Sequence, residues 1–513
     1  MNENNISKVY LLSVPLEDDY KHTLYFTSKA SQQSYFQSNI VRSFTDFSYQ
    51  RKDKIIRIPV IYDDIYNCNY VMYQNSKYGD KWFYAFITKL EYVNDGRTDV
   101  YIETDVIQTW LFDYTVKSSF VEREHVDNDT VGLHTVPENV EMGEYIINDH
   151  VRDVYNTNLT IVLQATLTPG EMVSFVGGKY QGVPTGVRYY EIHSVESLRT
   201  ILEAYSNGHA DAIVGLFLAP KYLVNSVGGV IEDSDNPVSY DMKFDRINSL
   251  NGYTPVNKKL LTYPYCYMLV SNAQGSNAVF KQERWKLDGT GKMVLRFYGV
   301  LTPGCSIKAI PIDYNGGVTN IDESINLGKF PTLNWTTDQY TNWLTQNAVN
   351  IGVSTAGNLL SIVGGVAAAS TGVGAGVGAA GVTSGLMGIA SSVGQVYQHS
   401  FMPPQASGNL NSGDVTSAMD ENRFHIYKMT IKDEYARIID GYFNMFGYKV
   451  NTVKVPNKAH RSRYWYTKCI DVNIDGDIPN EDMQTIKNAY NNGITFWRNA
   501  SEIQNYSLSN EIV

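Results

Sequence analysis

Cysteine is scarce: four residues in 513, Cys68, Cys266, Cys305 and Cys469, none of them in a CxxC spacing. That excludes a disulfide scaffold and a zinc ribbon or finger, and the four are expected to be buried free thiols. Positive charge is also short. Against 53 Asp and Glu stand 42 Lys and Arg, a net charge of -11. A protein that wraps nucleic acid needs the opposite balance to neutralise phosphates, and the short run His460 to Arg463 reads as a solvated loop. The amino terminus, MNENNISKVYLLSVPLEDD, lacks a basic leader region, and Pro15 and acids break its apolar run. It is expected to be a strand rather than a secretory signal. No GxSxG, HExxH, P-loop or Cys/His arrangement is present, so an enzyme is not expected.

The sharpest absence is local. From Gln339 to Gly413 there is no Asp, Glu, Lys or Arg, whereas at the overall 19% charged fraction roughly 14 would be expected. The centre of this insert, Gly352 to Gly394, is nearly all small and apolar. Stepping by four from Gly364 meets Ala368, Gly372, Gly376, Ala380, Ser384, Gly388 and Ser392. Neighbouring rows carry Val373, Val377, Val382, Leu386, Ile389 and Val393. On helices this gives a smooth face for close contact and a branched face for lipid, the arrangement of membrane helices, although so much Gly, Ala and Ser makes one small-residue row a matter of composition.

In water the same segment is a poor lone helix, because each Gly costs about 0.8–1.0 kcal/mol against Ala. As a permanent span it also falls short, with few Leu or Phe, no Lys/Arg flanks and no aromatic belt between Trp343 and Tyr397. Its length allows two passes of roughly 20 residues each, turning near Ser370 to Gly376. A conditional membrane-inserting hairpin, a buried helical plug and a flexible Gly-rich loop are the three readings, the first preferred. Its plug or membrane-active residues would be Gly352, Leu359, Leu360, Ile362, Val363, Gly364, Ala368, Gly372, Gly376, Ala380, Leu386, Met387, Gly388 and Ile389. His399 is the one titratable histidine in the stretch and could serve as a pH trigger, though a lone His is ordinarily bland.

What is abundant points to β-structure. There are 38 Tyr and only 16 Pro, with many Val/Ile/Tyr/Thr clusters suited to pleated surfaces. Lys81 to Val106 alternates apolar residues around Asn94-Asp95-Gly96, which predicts a β-hairpin. A short helical turn is expected from Val106, then strand from Ser119. The fold class is mainly β, a multi-strand barrel or sandwich, with residues 1–126 an N-terminal β block, 127–257 a mixed, loop-rich middle domain and 258–338 a second β block. The apolar insert, 339–413, interrupts the β part rather than joining two domains, and a C-terminal β block with one helix, 414–513, closes the chain. Helices are expected at Val195–Ser206, Leu333–Asn350 and Asn480–Asn491.

Two acidic clusters and one loop invite functional readings. Glu122 and Glu124 alternate on a strand beside His125, and Glu138, Glu141 and Glu144 follow. The first pair is expected at a solvated or interface edge rather than as a general acid and base. Asp471, Asn473, Asp475 and Gly476 occupy positions one, three, five and six of a calcium-loop pattern, but Asp482 stands where Glu is usual and a strand leads in. A β-turn feeding a helix, with Pro479 in its first turn, is the preferred reading, and no metal or cofactor is expected.

Longer patterns resemble a known family. DDYKHTLYFTS from Asp18, the segment from Tyr70 to Val126, and GDIPNEDMQTIKNAYNNGITFW from Gly476 with its NYSxxNE ending are similar to the distal tail knob proteins of phi29-type short-tailed phages. The resemblance covers both ends and the insert, and is weak over 127–255. It implies a hexameric β-rich tube, a homohexamer at the tail tip that contacts other tail and collar proteins. Apolar loops would plug its lumen and later form a pore in the host cell membrane. Double-stranded DNA would pass without specific binding; host cell-wall polymer, contacted by the middle domain, is a partner in the alternative reading. The alternative is a receptor- or wall-binding tip whose insert is only a plug, and a wall hydrolase is a third reading.

Overall fold

The computed structural model describes residues 7–45, 47–50, 53–74, 79, 81–155, 159–168, 177–193, 197, 201, 204–205, 212–328, 330, 332–334 and 423–513. The chain forms two compact units: one of residues 1–143, 253–260 and 433–513, the other of 144–252 and 261–432. As the composition implies, both are built mainly of antiparallel sheet.

The first unit holds a seven-stranded sheet in the order Ile40–Phe44, Lys8–Leu12, Tyr70–Gln74, Trp82–Asn94, Arg97–Thr104, Ile55–Ile58, Ser48–Gln50. Its central hairpin is the expected one: Asn94 pairs with Arg97 across the tight turn. Alternation sends Val9, Leu11, Val71, Tyr73 and Ala85 into one core and Leu12, Tyr70, Met72, Tyr84 and Phe86 into another. Helix α1, Lys29–Ser38, covers the second face. Ser28 caps it, accepting from the Ser31 N–H at 3.1 Å, and Phe36 stacks on Tyr70 with ring centroids 5.3 Å apart. Helix α2, Val106–Trp110, follows the hairpin, its Asp105 cap accepting from the Gln108 N–H at 3.0 Å.

A five-stranded sheet, ordered His22–Leu24, Ile494–Trp497, Tyr464–Ile470, Ser119–Glu124, Tyr448–Lys454, joins early and late residues in the same unit. Two helices serve this part, α3 at Asp433–Phe446 and α4 at Asn480–Asn492. Helix α4 matches its expectation. Helix α3 has no counterpart among the expected elements, which place a single helix in 414–513; it follows directly on the strand His425–Ile431. Its buried residues, Ala436, Ile439, Asp440 and Phe443, follow the spacing of one helical face, with Asp433 and Glu434 in the first turn.

The second unit contains a six-stranded sheet (Ser226–Val227, Val230–Ile231, Arg188–Ile192, Leu159–Ala165, Ile213–Pro220, Thr332–Asn334) and two of four strands. One runs Tyr145–Arg152, His425–Ile431, Cys266–Ser271, Asn277–Phe280; the other runs Val238–Phe244, Met293–Val300, Ser306–Ile312, Ile325–Leu327. These sheets share one apolar core that includes Ile161, Phe217, Met268, Trp285, Phe297 and Ile426. Strand Leu159–Ala165 is buried on both faces, which explains why apolar residues dominate it, with Thr160 and Gln164 buried among them. All four cysteines are buried free thiols, as their scatter implied.

Candidate functional site

The plug residues from Gly352 to Ile389, with His399 and the helix expected at 333–350, lie outside the described residues, apart from the strand residues Leu333 and Asn334. So does most of the expected helix Val195–Ser206, although Ser197, Ile201, Ala204 and Tyr205 are helical. The nearest described strands on either side of the insert are Thr332–Asn334 and His425–Ile431. Before it, Thr332–Asn334 pairs with Gly215–Phe217 at the end of the six-stranded sheet. After it, His425–Ile431 is an interior strand, hydrogen-bonded to Tyr145–Arg152 on one side and Cys266–Ser271 on the other. The apolar stretch is thus a connection between two sheets of one β-unit. Among the described residues no helix is long and apolar enough to cross a membrane.

The acidic clusters resolve into separate ion pairs. Strand Ser119–Glu124 is an interior strand, not the edge that alternation suggested, and a bulge after Val121 breaks the two-residue period. Glu122 stays at the surface with Lys468, 2.9 Å away. Glu124 is buried, accepting from Lys454 Nζ at 2.6 Å and the Asn457 N–H at 2.8 Å. Burial raises its pKa against the pull of these donors. His125 is buried as a neutral ring: Nδ1 accepts from the Tyr466 N–H at 2.7 Å and Nε2 lies 3.0 Å from the Asn444 carbonyl oxygen. Burial, aided by the charge of Arg461, pushes its pKa down to about 3. A histidine so held is not placed to exchange protons near neutrality.

Glu138 and Glu144 go to different partners. The Glu138 carboxylate is fully buried, clamped by Arg123 and by Lys259 at 2.5 Å, and accepts the Lys449 N–H at 2.8 Å. Glu144 is exposed and pairs with Lys432. A further buried carboxylate escaped the sequence reading. Glu191 accepts from Thr160 Oγ1 at 2.7 Å, from Ser226 Oγ at 2.5 Å and from Lys221. Burial opposes its ionisation, yet these donors hold its pKa below the usual range. Its partners lie 30 or more residues away in sequence, so no local pattern announces them.

The calcium-like loop is a turn between strands that leads into α4. Asp471 sits at φ +57°, and the Asn473 N–H donates to Ser119 Oγ at 3.0 Å. Asp475 pairs with Lys117 at 3.2 Å. Gly476 has its own reason for being glycine, since a Cβ there would come within 2.6 Å of the Asp113 carbonyl oxygen. Pro479 occupies the N-cap position of α4. Among the described residues no group of three or more His, Cys, Asp or Glu is placed to hold a metal.

Sheets whose buried carboxylates Glu124, Glu138 and Glu191 are held by cations and hydrogen-bond donors, with an apolar connection between two of the sheets, define a β-built structural protein of a phage tail once the known relatives are set beside it. Residues 232–511 match the family model of the Bacillus phage phi29 tail knob protein gp9, C-terminal domain, and residues 5–115 match that of the caudoviral major tail protein N-terminus. Tail knob protein gp9 of Bacillus phage phi29 is 27% identical over 98% of both chains. The protein of that name from Bacillus phage B103 is 26% identical over 98% of this chain and 97% of its own. The solved structure of the bacteriophage C1 tail knob protein, gp12, has the same fold, with a TM-score of 0.66 at 16% identity over 99% of this chain and 100% of that one. The chain belongs to the phi29 tail knob protein family. It is a structural component of the virion, not an enzyme.

Proposed function

We propose that the chain is one subunit of an oligomeric tube, a hexamer, at the distal end of the tail, assembled in the bacterial host's cytoplasm. In this reading the apolar insert closes the lumen before infection. On triggering it leaves the tube and forms a pore in the host membrane, through which the double-stranded genome passes. The observation that carries the reading is the absence of charge from Gln339 to Gly413 in a chain of net charge -11. A lipid environment demands that backbone polar groups be satisfied internally, and several copies side by side can do what one small-residue hairpin cannot. The strands Thr332–Asn334 and His425–Ile431 support it too, since the chain on either side of the insert is paired into sheets that need not change when the insert leaves the lumen. An acidic subunit also suits a conduit, because tight phosphate binding would hold the passing DNA.

The test is dye release from liposomes by the peptide spanning Asn350 to Gln398. Leakage that grows with peptide concentration is expected. Intact vesicles at every pH tested would overturn the pore, leaving the insert as a plug only.

A further inference from the structure

Within the first unit a cleft of about 630 Å³ opens beside the N-terminus of α1 and the start of the central hairpin. That volume falls in the roughly 300–1,000 Å³ range of small-molecule sites. We propose that this cleft is a binding site for a neutral saccharide, such as an N-acetylhexosamine oligomer of a cell wall. The inference stands apart from the membrane reading, because no residue of the insert contributes to it.

The aromatic wall comes first. Trp82, Trp110 and Phe112 line the cleft and are only partly buried. Tyr10 is not part of the lining but stacks on Trp82, with ring centroids 5.3 Å apart and planes at 26°. The indole is therefore held still from behind. Trp110 is fixed as well: its Nε1–H donates to Asp482 at 2.8 Å, and Lys81 Nζ sits 3.3 Å from the ring centroid. Lys81 covers one face of Trp110, so Trp82 is the stacking platform: a rigid aromatic face costs little entropy on binding and matches the flat C–H face of a pyranose.

The polar wall decides the ligand class. Asp113 receives Lys81 at 2.7 Å and Lys29 at 3.2 Å, and Gln33 lies on the same rim. Sugar hydroxyls donate and accept at once, so a rim with carboxylate, ammonium and amide groups satisfies neighbouring hydroxyls. The charges balance, since Lys29 and Lys81 are countered by Asp113 and Asp477. Balanced charge disfavours a phosphate-bearing polymer, which needs a cationic surplus, and a lipid tail would not choose a wall of ion pairs.

The test uses the full-length protein, titrated with chitotriose while ligand signals are followed by saturation-transfer NMR and affinity by calorimetry. Saturable binding is expected, weakened at least roughly tenfold by Trp82→Ala, about 1.4 kcal/mol. Gln33→Ala, on an accessible rim, is expected to weaken it severalfold and keeps the test valid if Trp82→Ala disturbs folding. Absence of saturable binding, binding unchanged in both variants, or preference for a phosphate-bearing wall polymer over the neutral oligomer would each overturn the proposal.

Discussion

Replacing Glu138 by Gln should be among the most damaging single-atom changes available to this chain. The substitution keeps the shape and removes the charge. In the native unit the carboxylate is fully buried, its neighbour Lys259 is 2% exposed and Arg123 is 10% exposed. A neutral amide would leave two cations facing each other without their anion and would present an NH2 group to donors. Breaking a buried ion pair from one side costs about 3–5 kcal/mol, since the stranded charge keeps its desolvation penalty. For a unit of this size each kcal/mol lowers the melting temperature by about 2–4 °C, so a fall of roughly 6–20 °C is expected in calorimetry near neutral pH. Lys259→Met should cost less. It removes a cation whose pKa is already held down by burial, and it leaves Glu138 paired with Arg123. The double variant Glu138→Gln with Lys259→Met should therefore recover part of the loss. If Glu138→Gln lies within about 1 kcal/mol of the parent, or if the double variant shows simple additivity, the charges are not coupled as argued.

Two further expectations concern the same unit. Gly447 follows α3 at φ +65°, and a Cβ there would meet the Glu124 carbonyl oxygen at 2.1 Å. Gly447→Ala should destabilise by more than about 2 kcal/mol, whereas Gly441→Ala, with open space inside α3, should stabilise by about 0.5–1 kcal/mol; chemical denaturation of the two decides it. His125 tests the sign of a buried neutral ring. Its folded pKa of about 3 lies below the ordinary 6.5, so its contribution is intact above pH 6.5 and is lost as pH falls towards 3. The stability gap between the parent and His125→Gln should then change by about 1.4 kcal/mol per pH unit between roughly pH 6 and 4, with the parent losing. Taking the difference removes carboxyls of opposite sign such as Asp105, raised to about 6 by burial. A pH-independent gap would refute the assignment.

Local signals were legible where the sequence carried local causes. The Asn94-Asp95-Gly96 turn, the short helical turn from Val106 and the α4 pattern each act within a few residues, and each element lies where its pattern put it. Helix α3 was hidden although its spacing was present, because it starts directly after a strong strand with no turn residue between. The exposure of Glu124 was misjudged because a bulge is invisible to a two-residue period. The clamps on Glu138 and Glu191, and the cleft behind Trp82, join distant parts of the chain, and a single sequence holds no trace of such pairings. The insert is the reverse case, since its composition speaks and the described residues give only its roots.

The parallel pairing of His22–Leu24 with Ile494–Trp497 has a consequence for how the chain is made. A ribosome adding about 5–20 residues per second needs roughly 25 to 95 seconds between these partners. Throughout that interval the N-terminal block lacks the strands that complete its five-stranded sheet, and the apolar insert emerges before those strands are made. Such long-range closure slows folding and prolongs the exposure of aggregation-prone surface. The dangerous moment for this protein therefore falls during its synthesis, before any tail exists to shelter it.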